Sequence, residues 1–277
     1  MERSIALVEE SGSQAAAPPS RRLIVLGSGT STGVPVLGCD CPVCRSDDPR
    51  NARTRPSVLL RLPAGDLLID TTPELRLQLL RQRVAGAHAI LYTHAHADHL
   101  FGLDDARLFP KVTGGPVPIY CEQEVEEAIR RAFSYAFDER VRRLPSGGVP
   151  QVEFRRIAPG EPFEVLGERI TPMRLEHGRF RVLGFRLGGL AYCTDVSKIP
   201  EESWPMLEGL ETLLIDALRP EPHPTHFSLD EALEVIARLR PRRAYLTHLS
   251  HFYDHGPVEA RLPPGVFLAY DGLTIAF

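Results

Sequence analysis

The sequence predicts an α/β protein in which two sheets are covered by helices. Short apolar strands and amphipathic helices follow one another in both halves of the 277-residue chain, with a similar rhythm in each half. No low-complexity linker separates the halves, which favours one domain over two independent ones. A hydrophobic content of 43% and a charged content of 25% are ordinary for a globular protein.

In the first half, short apolar runs predict strands at residues 23–26, 57–62, 67–70, 89–92 and 117–120. One helix is predicted to begin with Thr72 as its N-cap and to carry an apolar face of Leu75, Leu79 and Leu80. A second helix is predicted over residues 122–133, because early acidic side chains suit a helix N-terminus. Residues 134–150 break the pattern and predict a loop or lid that faces the substrate.

In the second half, apolar runs predict strands at residues 154–157, 169–175, 181–187, 190–194, 213–216, 243–246, 266–269 and 273–276. The one helix predicted between them starts after Ser228. Glu231 follows three residues later, and this spacing is that of a capping box.

Charge and hydropathy exclude some classes of protein. The net charge of −4 argues against a general electrostatic nucleic-acid binder. No apolar run approaches the ~20 residues that span a bilayer. Residues 1–21 are polar and rich in Ala, Pro and Ser, unlike a signal or transit sequence. We expect them to be a flexible extension of a cytoplasmic protein whose domain covers residues 22–277.

The chain has five cysteines, an odd number that argues against a disulfide framework. Cys121 and Cys193 stand alone in apolar runs and are predicted to be small buried side chains. The other three form the cluster Cys39-x-Cys41-x-x-Cys44. Such a cluster predicts a structural zinc that needs a fourth ligand, which His251 could supply.

A glycine-rich segment, residues 27–33, follows the first strand. It continues into Val34-Pro35 rather than a helix, and it lacks the Lys of a nucleotide-binding loop. We therefore expect a tight turn whose small side chains let the backbone approach an active site.

The stretch after strand 89–92 carries the strongest chemical signal. His94, His96, Asp98 and His99 offer four potential metal ligands in six positions. Imidazole and carboxylate groups suit zinc, manganese or iron. Because they follow a buried strand, these side chains have a rigid support and remain accessible. The motif therefore predicts a metal site.

Three further ligands are predicted just past the ends of other strands: His177, Asp195 and His248. Strand ends that meet at one rim of a sheet form a natural site. One metal could take three imidazoles, and a second could take two imidazoles and a carboxylate. Asp195 is the predicted bridge, since a carboxylate has two oxygens to share and two metals ~3.5–4 Å apart can act as a pair.

The motif H-A-H-A-D-H, followed in order by His177, Asp195 and His248, resembles the metallo-β-lactamase fold superfamily. This resemblance implies an αββα sandwich of two mixed sheets flanked by helices. It implies that one metal is held by His94, His96 and His177. It also implies that a second is held by Asp98, His99 and His248, with Asp195 bridging. Asp70 would orient a ligand histidine.

The run from Gly27 to Cys44 is similar to that of the phosphoribosyl 1,2-cyclic phosphate phosphodiesterases of the carbon–phosphorus lyase pathway. This resemblance implies two divalent ions in the active site, zinc or manganese, and one structural zinc. The predicted function is hydrolysis of a small cyclic phosphodiester by a hydroxide that bridges the metals. Asp98 would orient the hydroxide, and His226 would protonate the leaving oxygen.

Other functions share parts of this signature. A tRNA 3′-processing nuclease has the metal motif but also a long tRNA-binding arm, and a cyclic-nucleotide phosphodiesterase is a further alternative. Glyoxalase-like thioesterases lack the cysteine cluster, and the B protein of quinone-cofactor biosynthesis lacks the complete histidine set. The expected partner is a small phosphodiester. Neither a membrane nor nucleic acid is expected, and a homodimer is compatible with the sequence.

Overall fold

The chain folds into four layers, with two sheets packed face to face and helices on both outer faces. A computed structural model describes residues 21–142 and 148–277. Residues 1–20 of the predicted extension and residues 143–147 of the predicted loop lie outside this part. The architecture confirms the predicted αββα sandwich.

The first sheet has seven strands. In spatial order they are β14 (Thr274–Ala276), β1 (Arg22–Gly27), β2 (Ser57–Leu62), β3 (Gly65–Ile69), β4 (Ala89–Leu91), β5 (Val117–Cys121) and β6 (Val152–Arg156). The pairs from β14 to β3 are antiparallel, whereas β3 to β6 run parallel. The carboxyl ends of β3 and β4 therefore lie side by side.

The second sheet also has seven strands. In spatial order they are β13 (Val266–Leu268), β12 (Arg243–Thr247), β11 (Thr212–Asp216), β10 (Leu190–Cys193), β9 (Phe180–Leu187), β8 (Glu168–His177) and β7 (Phe163–Val165). Strands β10 to β13 are parallel, and β7 to β10 are antiparallel. The carboxyl ends of β10, β11 and β12 meet at one edge.

The helices of the described residues are α1 (Leu75–Arg81), α2 (Ala97–Leu100), α3 (Pro110–Thr113), α4 (Gln123–Ala132), α5 (Glu139–Arg142), α6 (Leu229–Leu239) and α7 (His255–Glu259). Short 3-10 turns occupy Pro49–Asn51, Leu103–Leu108, Ser134–Phe137 and Glu201–Leu207. No described helix is both long and apolar enough to cross a membrane.

The core between the sheets follows from strand alternation. Val25, Leu60 and Ile69 of the first sheet and Phe185 and Leu214 of the second belong to one buried cluster. Their neighbours along each strand point outward, toward the helices. Burial of such side chains contributes about 1.5–3 kcal/mol each, which holds the two sheets, and the strand ends they carry, in a fixed relation.

Several local predictions are confirmed. Ser228 caps α6, because its hydroxyl accepts a hydrogen bond from the backbone N–H of Glu231. The Glu231 carboxylate in turn accepts a hydrogen bond from the Ser228 N–H, which completes the capping box. Cys121 and Cys193 are fully buried. Gly29 pairs with Leu249 and leaves no room for a Cβ against Arg53, so the glycine-rich turn brings its backbone beside His248.

Three local predictions were wrong. Helix α1 begins at Leu75, so Glu74 and not Thr72 occupies the N-cap position. The buried Thr72 hydroxyl donates to the Gln78 side chain. Leu80 is 58% exposed, so the buried face of α1 is narrower than predicted. The predicted loop over residues 134–150 begins with two helical turns, Ser134–Phe137 and Glu139–Arg142.

Candidate metal centre

The ends of four strands at one edge of the sandwich bring the predicted ligands together. Ligand atoms of His94, His96 and His177 lie within 4.8 Å of one another. Those of a second group meet the same limit: Asp98, His99, Asp195 and His248. The ligands follow β4 of the first sheet and β10 and β12 of the second, except His177, which is the last residue of β8 and not a residue past its end. All seven side chains predicted as ligands thus meet where the two sheets face each other.

Asp195 lies between histidines of both groups. Its Oδ2 is 3.0 Å from Nε2 of His99, and its Oδ1 is 3.3 Å from Nε2 of His248. The same Oδ1 lies 4.0 Å from Nε2 of His177 in the other group. The Asp195 carboxylate therefore lies near histidines of both groups, and its bridging role stays a prediction.

The ring nitrogens fit a metal better than any protein partner. Nε2 of His94, of His99 and of His248 is buried without a hydrogen-bond partner among the described residues. Buried polar atoms in native proteins are almost always satisfied, so unpaired nitrogens aimed at one space call for a ligand. Imidazole and carboxylate donors are those that Zn²⁺ and Mn²⁺ accept.

The charges of the site also suit a cation. Burial lowers the pKa of His94 well below its ordinary value and keeps this ring neutral, as a ligand must be. Burial acts in the same direction on His99, but the surrounding carboxylates Asp195 and Asp70 outweigh it and raise its pKa. Burial opposes the charge of Asp195, yet His248 and His99 hold its pKa well below the usual range.

Asp70, which the resemblance implies to be an orienting residue, is hydrogen-bonded to His99. It accepts hydrogen bonds from the Thr93 N–H at 2.9 Å, the Thr93 hydroxyl at 2.7 Å and His99 Nδ1 at 2.7 Å. Because Nδ1 carries the proton, Nε2 presents its lone pair to the centre of the site. The role of Asp70 as an orienting residue stays a prediction that this geometry supports.

A second orienting carboxylate, Asp216, was missed from the sequence. It ends β11 and accepts from the Val196 N–H at 2.9 Å and from His226 Nδ1 at 2.7 Å. Its other oxygen lies 3.9 Å from His248 Nδ1. The signal was present, since residues 67–70 and 213–216 have the same sequence, Leu-Leu-Ile-Asp.

His226 lies beside both groups of ligands. Its ring is 4.5 Å from that of His177 and is stacked 4.6 Å from that of His248. With Nδ1 bonded to Asp216, its Nε2 has no hydrogen-bond partner among the described residues. The ring is therefore fixed in direction and has one nitrogen free for proton transfer.

The backbone is strained where these groups meet. Asp70, Asp195 and His248 have φ of 63°, 53° and 60°, a region that residues other than glycine rarely adopt. Each lies within two residues of a strand end. Such conformations cost about 1–3 kcal/mol each and persist where surrounding structure over-determines them, which is common at functional sites.

The cysteine cluster forms a separate site. The Sγ atoms of Cys39, Cys41 and Cys44 lie 3.3, 3.6 and 3.5 Å from Nδ1 of His251. The Cys44 N–H donates to the Cys41 sulfur and lowers the pKa of that thiol to about 6, whereas burial raises the pKa of Cys44 to about 11. Four convergent Cys₃His donors match a structural zinc site.

Fold and candidate site together define a chain of the metallo-β-lactamase fold with clustered metal-binding side chains. Residues 66–249 match the Beta-lactamase superfamily domain. A solved structure described as a new diphosphatase from the PhnP family is 44% identical, with a TM-score of 0.86, over 93% of this chain and 97% of that one. The chain therefore belongs to the β-lactamase superfamily and, within it, to the PhnP family.

Two further relatives carry other names. Zinc-bound PqqB from Methylobacterium extorquens is 23% identical, with a TM-score of 0.70, over 92% of this chain and 100% of that chain; it shares the fold. An octanoyltransferase of Porphyromonas gingivalis is 38% identical over 258 residues, 91% of this chain and 51% of that protein. The chain thus spans about half the length of this curated relative.

Proposed function

We propose that this chain hydrolyses a small substrate in which phosphorus carries two ester or anhydride oxygens. A cyclic phosphodiester and a substituted diphosphate both have this feature. The diphosphatase that is 44% identical to this chain supports chemistry at phosphorus. The observation that carries the proposal is the His226–Asp216 pair beside the metal ligands, because it can supply the proton that a departing alkoxide needs.

Two divalent ions would occupy the centre. One would be held by His94, His96 and His177, and the other by Asp98, His99 and His248, with Asp195 shared between them. When bound, the ions supply positive charge that stabilises the phosphoryl oxygens and lowers the pKa of water. A third ion, zinc, would be held by Cys39, Cys41, Cys44 and His251.

Three side chains of this chain would orient the attacking water and protonate the leaving oxygen: Asp98, His226 and Asp216. Oδ2 of Asp98 lies 3.4 Å from Nε2 of His99 and 3.8 Å from Nε2 of His248, and from this position Asp98 would orient the attacking water. His226 would donate the proton on Nε2 to the leaving oxygen as the phosphorus–oxygen bond breaks. Asp216 would stabilise the imidazolium through Nδ1 and keep its ring in line with the site.

The site opening supports a small substrate. A cavity of ≈ 240 Å³ is lined by His94, His96 and Phe180. This volume is below the range of about 300–1,000 Å³ that holds drug-sized ligands, so it accommodates one ring system beside the scissile bond. The assay of this proposal therefore also includes substrates of the two alternative functions, a precursor tRNA and thioesters.

The test is a side-by-side assay of the metal-loaded chain. The substrates are bis-p-nitrophenyl phosphate, a ribosyl 1,2-cyclic phosphate, a 2′,3′-cyclic nucleotide, ADP-ribose, a precursor tRNA, a glutathione thioester and an octanoyl thioester. We expect turnover of one or more of the small phosphorus substrates, abolished by a chelator and restored by Zn²⁺ or Mn²⁺. Turnover of thioesters alone, or of precursor tRNA alone, would overturn the proposal.

A further inference from the structure

The turn between β8 and β9 places an exposed aromatic ring at the rim of the metal centre. Phe180 pairs directly with His177 across this hairpin, so the two side chains lie on the same face of the sheet. The Phe180 ring meets that of His96 edge-on at 5.2 Å and lies 6.3 Å from that of His177. It is nevertheless 51% exposed. Phe180 therefore leaves much of its apolar surface available to a ligand.

The cavity beside Phe180 is lined in part by charged side chains. It is lined by Glu122, Glu124 and Arg181 in addition to the metal-site histidines. Glu122 forms an ion pair with Arg174, whose two terminal nitrogens donate to its two carboxylate oxygens at 2.5 and 2.8 Å. Glu124 is exposed and has no ion pair among the described residues. A second phosphate would meet this carboxylate, whereas a group with N–H donors would be stabilised by it.

A second groove lies on the other side of Phe180. It has a volume of ≈ 760 Å³ and includes Arg179, Lys198 and His223 in its lining. Lys198 is paired with Glu176 at 3.2 Å, and Arg179 has no carboxylate partner among the described residues. Negative charge of a substrate is therefore better placed in this groove or beside Arg181, which leaves the Glu124 end of the cavity for an uncharged group.

We propose that the cavity formed by Phe180, Glu124 and Arg181 is a subsite for a nucleobase of the substrate. The base stacks on the free face of Phe180, and its exocyclic amino group donates to Glu124. Arg181 faces the sugar-phosphate that connects the base to the reacting phosphorus. This inference rests on the proposed phosphodiesterase function and narrows its substrate to a nucleotide-containing phosphodiester or diphosphate.

The contribution of the base to affinity can be measured in a binding experiment. Stacking of a base on an aromatic side chain is worth about 1–3 kcal/mol, so its loss should weaken binding on the order of tenfold or more. We compare AMP with ribose 5-phosphate, which lacks the base, by calorimetric titration of the metal-loaded protein. AMP should bind at least tenfold more tightly. Equal affinities would overturn the proposal.

Variants assign this preference to the two side chains. Phe180→Leu should weaken AMP binding about tenfold and leave ribose 5-phosphate binding unchanged. Phe267→Leu is the matched control, because Phe267 is 37% exposed on β13 and stacks on Tyr245. Glu124→Gln should weaken binding of AMP but not of IMP, which has no exocyclic amino group. Equal weakening of AMP and ribose 5-phosphate by Phe180→Leu would contradict a base subsite.

These titrations need no turnover, so they are separable from the proposed function. If no phosphorus substrate is hydrolysed but AMP still binds in a Phe180-dependent way, the reaction assignment fails and the subsite stands. If small phosphodiesters are hydrolysed but AMP and ribose 5-phosphate bind equally, the nucleobase subsite fails and the phosphodiesterase stands. Thermal midpoints of the variants should remain close to that of the wild type, since the substituted rings are exposed.

Discussion

At the scale of single residues, two aspartates of the candidate site each accept a hydrogen bond from one histidine ring. Asp70 accepts from Nδ1 of His99, and Asp216 accepts from Nδ1 of His226, each at 2.7 Å. Both are fully buried. Burial raises the pKa of Asp70, whereas the interaction with His99 acts in the opposite direction. The negative charge of the Asp70 carboxylate is therefore stabilised by the histidine to which it is hydrogen-bonded.

Replacing His226 separates acid catalysis from metal binding. His226→Ala should retain the active-site metals yet lower kcat by ~10²–10⁴ for a substrate with a poor leaving group. The loss should be much smaller for bis-p-nitrophenyl phosphate, because p-nitrophenolate departs without a proton. Metal content by mass spectrometry and kcat for both substrates are the readouts. Loss of metal, or equal losses for both substrates, would make His226 structural or a ligand instead.

Replacing Asp70 tests the orienting role. Asp70→Asn removes the charge opposite His99 Nδ1 and should weaken metal binding about 10- to 100-fold. Asp66→Asn is the control, since Asp66 pairs with Arg61 at the surface, 3.2 Å away. Competition with a chromophoric chelator measures the affinity. Unchanged affinity in Asp70→Asn would show that the hydrogen bond positions the strand end alone.

At the scale of elements, the cysteine site joins the N-terminal loop to the loop after β12. His251 follows His248 by three residues, and Arg53 reinforces the same connection. The buried Arg53 guanidinium donates to the carbonyls of Ser250 and Tyr253 at 3.0 and 2.8 Å. The loop that carries His248 is therefore supported by two independent contacts with residues 39–53.

Removing one thiolate should release the structural zinc. Cys41→Ser is expected to lose one zinc ion per chain and lower the thermal midpoint, because the ion's binding free energy contributes to folding. Relative rates with good and poor leaving groups should not change. Cys121→Ala is the matched control, since Cys121 is buried outside the site. If Cys41→Ser keeps its full zinc content, the cysteine cluster is not a metal site.

At the scale of the whole molecule, the sequence predicted those features that follow from one strand and its end. The ligand residues each follow a short apolar run, which made the metal cluster predictable from the residues themselves. The αββα sandwich was implied by the resemblance to the metallo-β-lactamase fold superfamily and not by the spacing of these runs. Asp216 was missed because its role depends on β11 lying between β10 and β12, which brings it to His226 and Val196. Phe180 was missed because only the hairpin register places it opposite His177.

We propose that one chain holds two ions at the active site and one at the cysteine cluster, and metal analysis of the purified chain measures this number. We expect about three tightly held ions in the wild type, about two in Cys41→Ser, and fewer ions together with lost activity in Asp195→Ala. A fully active wild type with a single active-site ion would contradict it, as would an Asp195→Ala variant that keeps both ions.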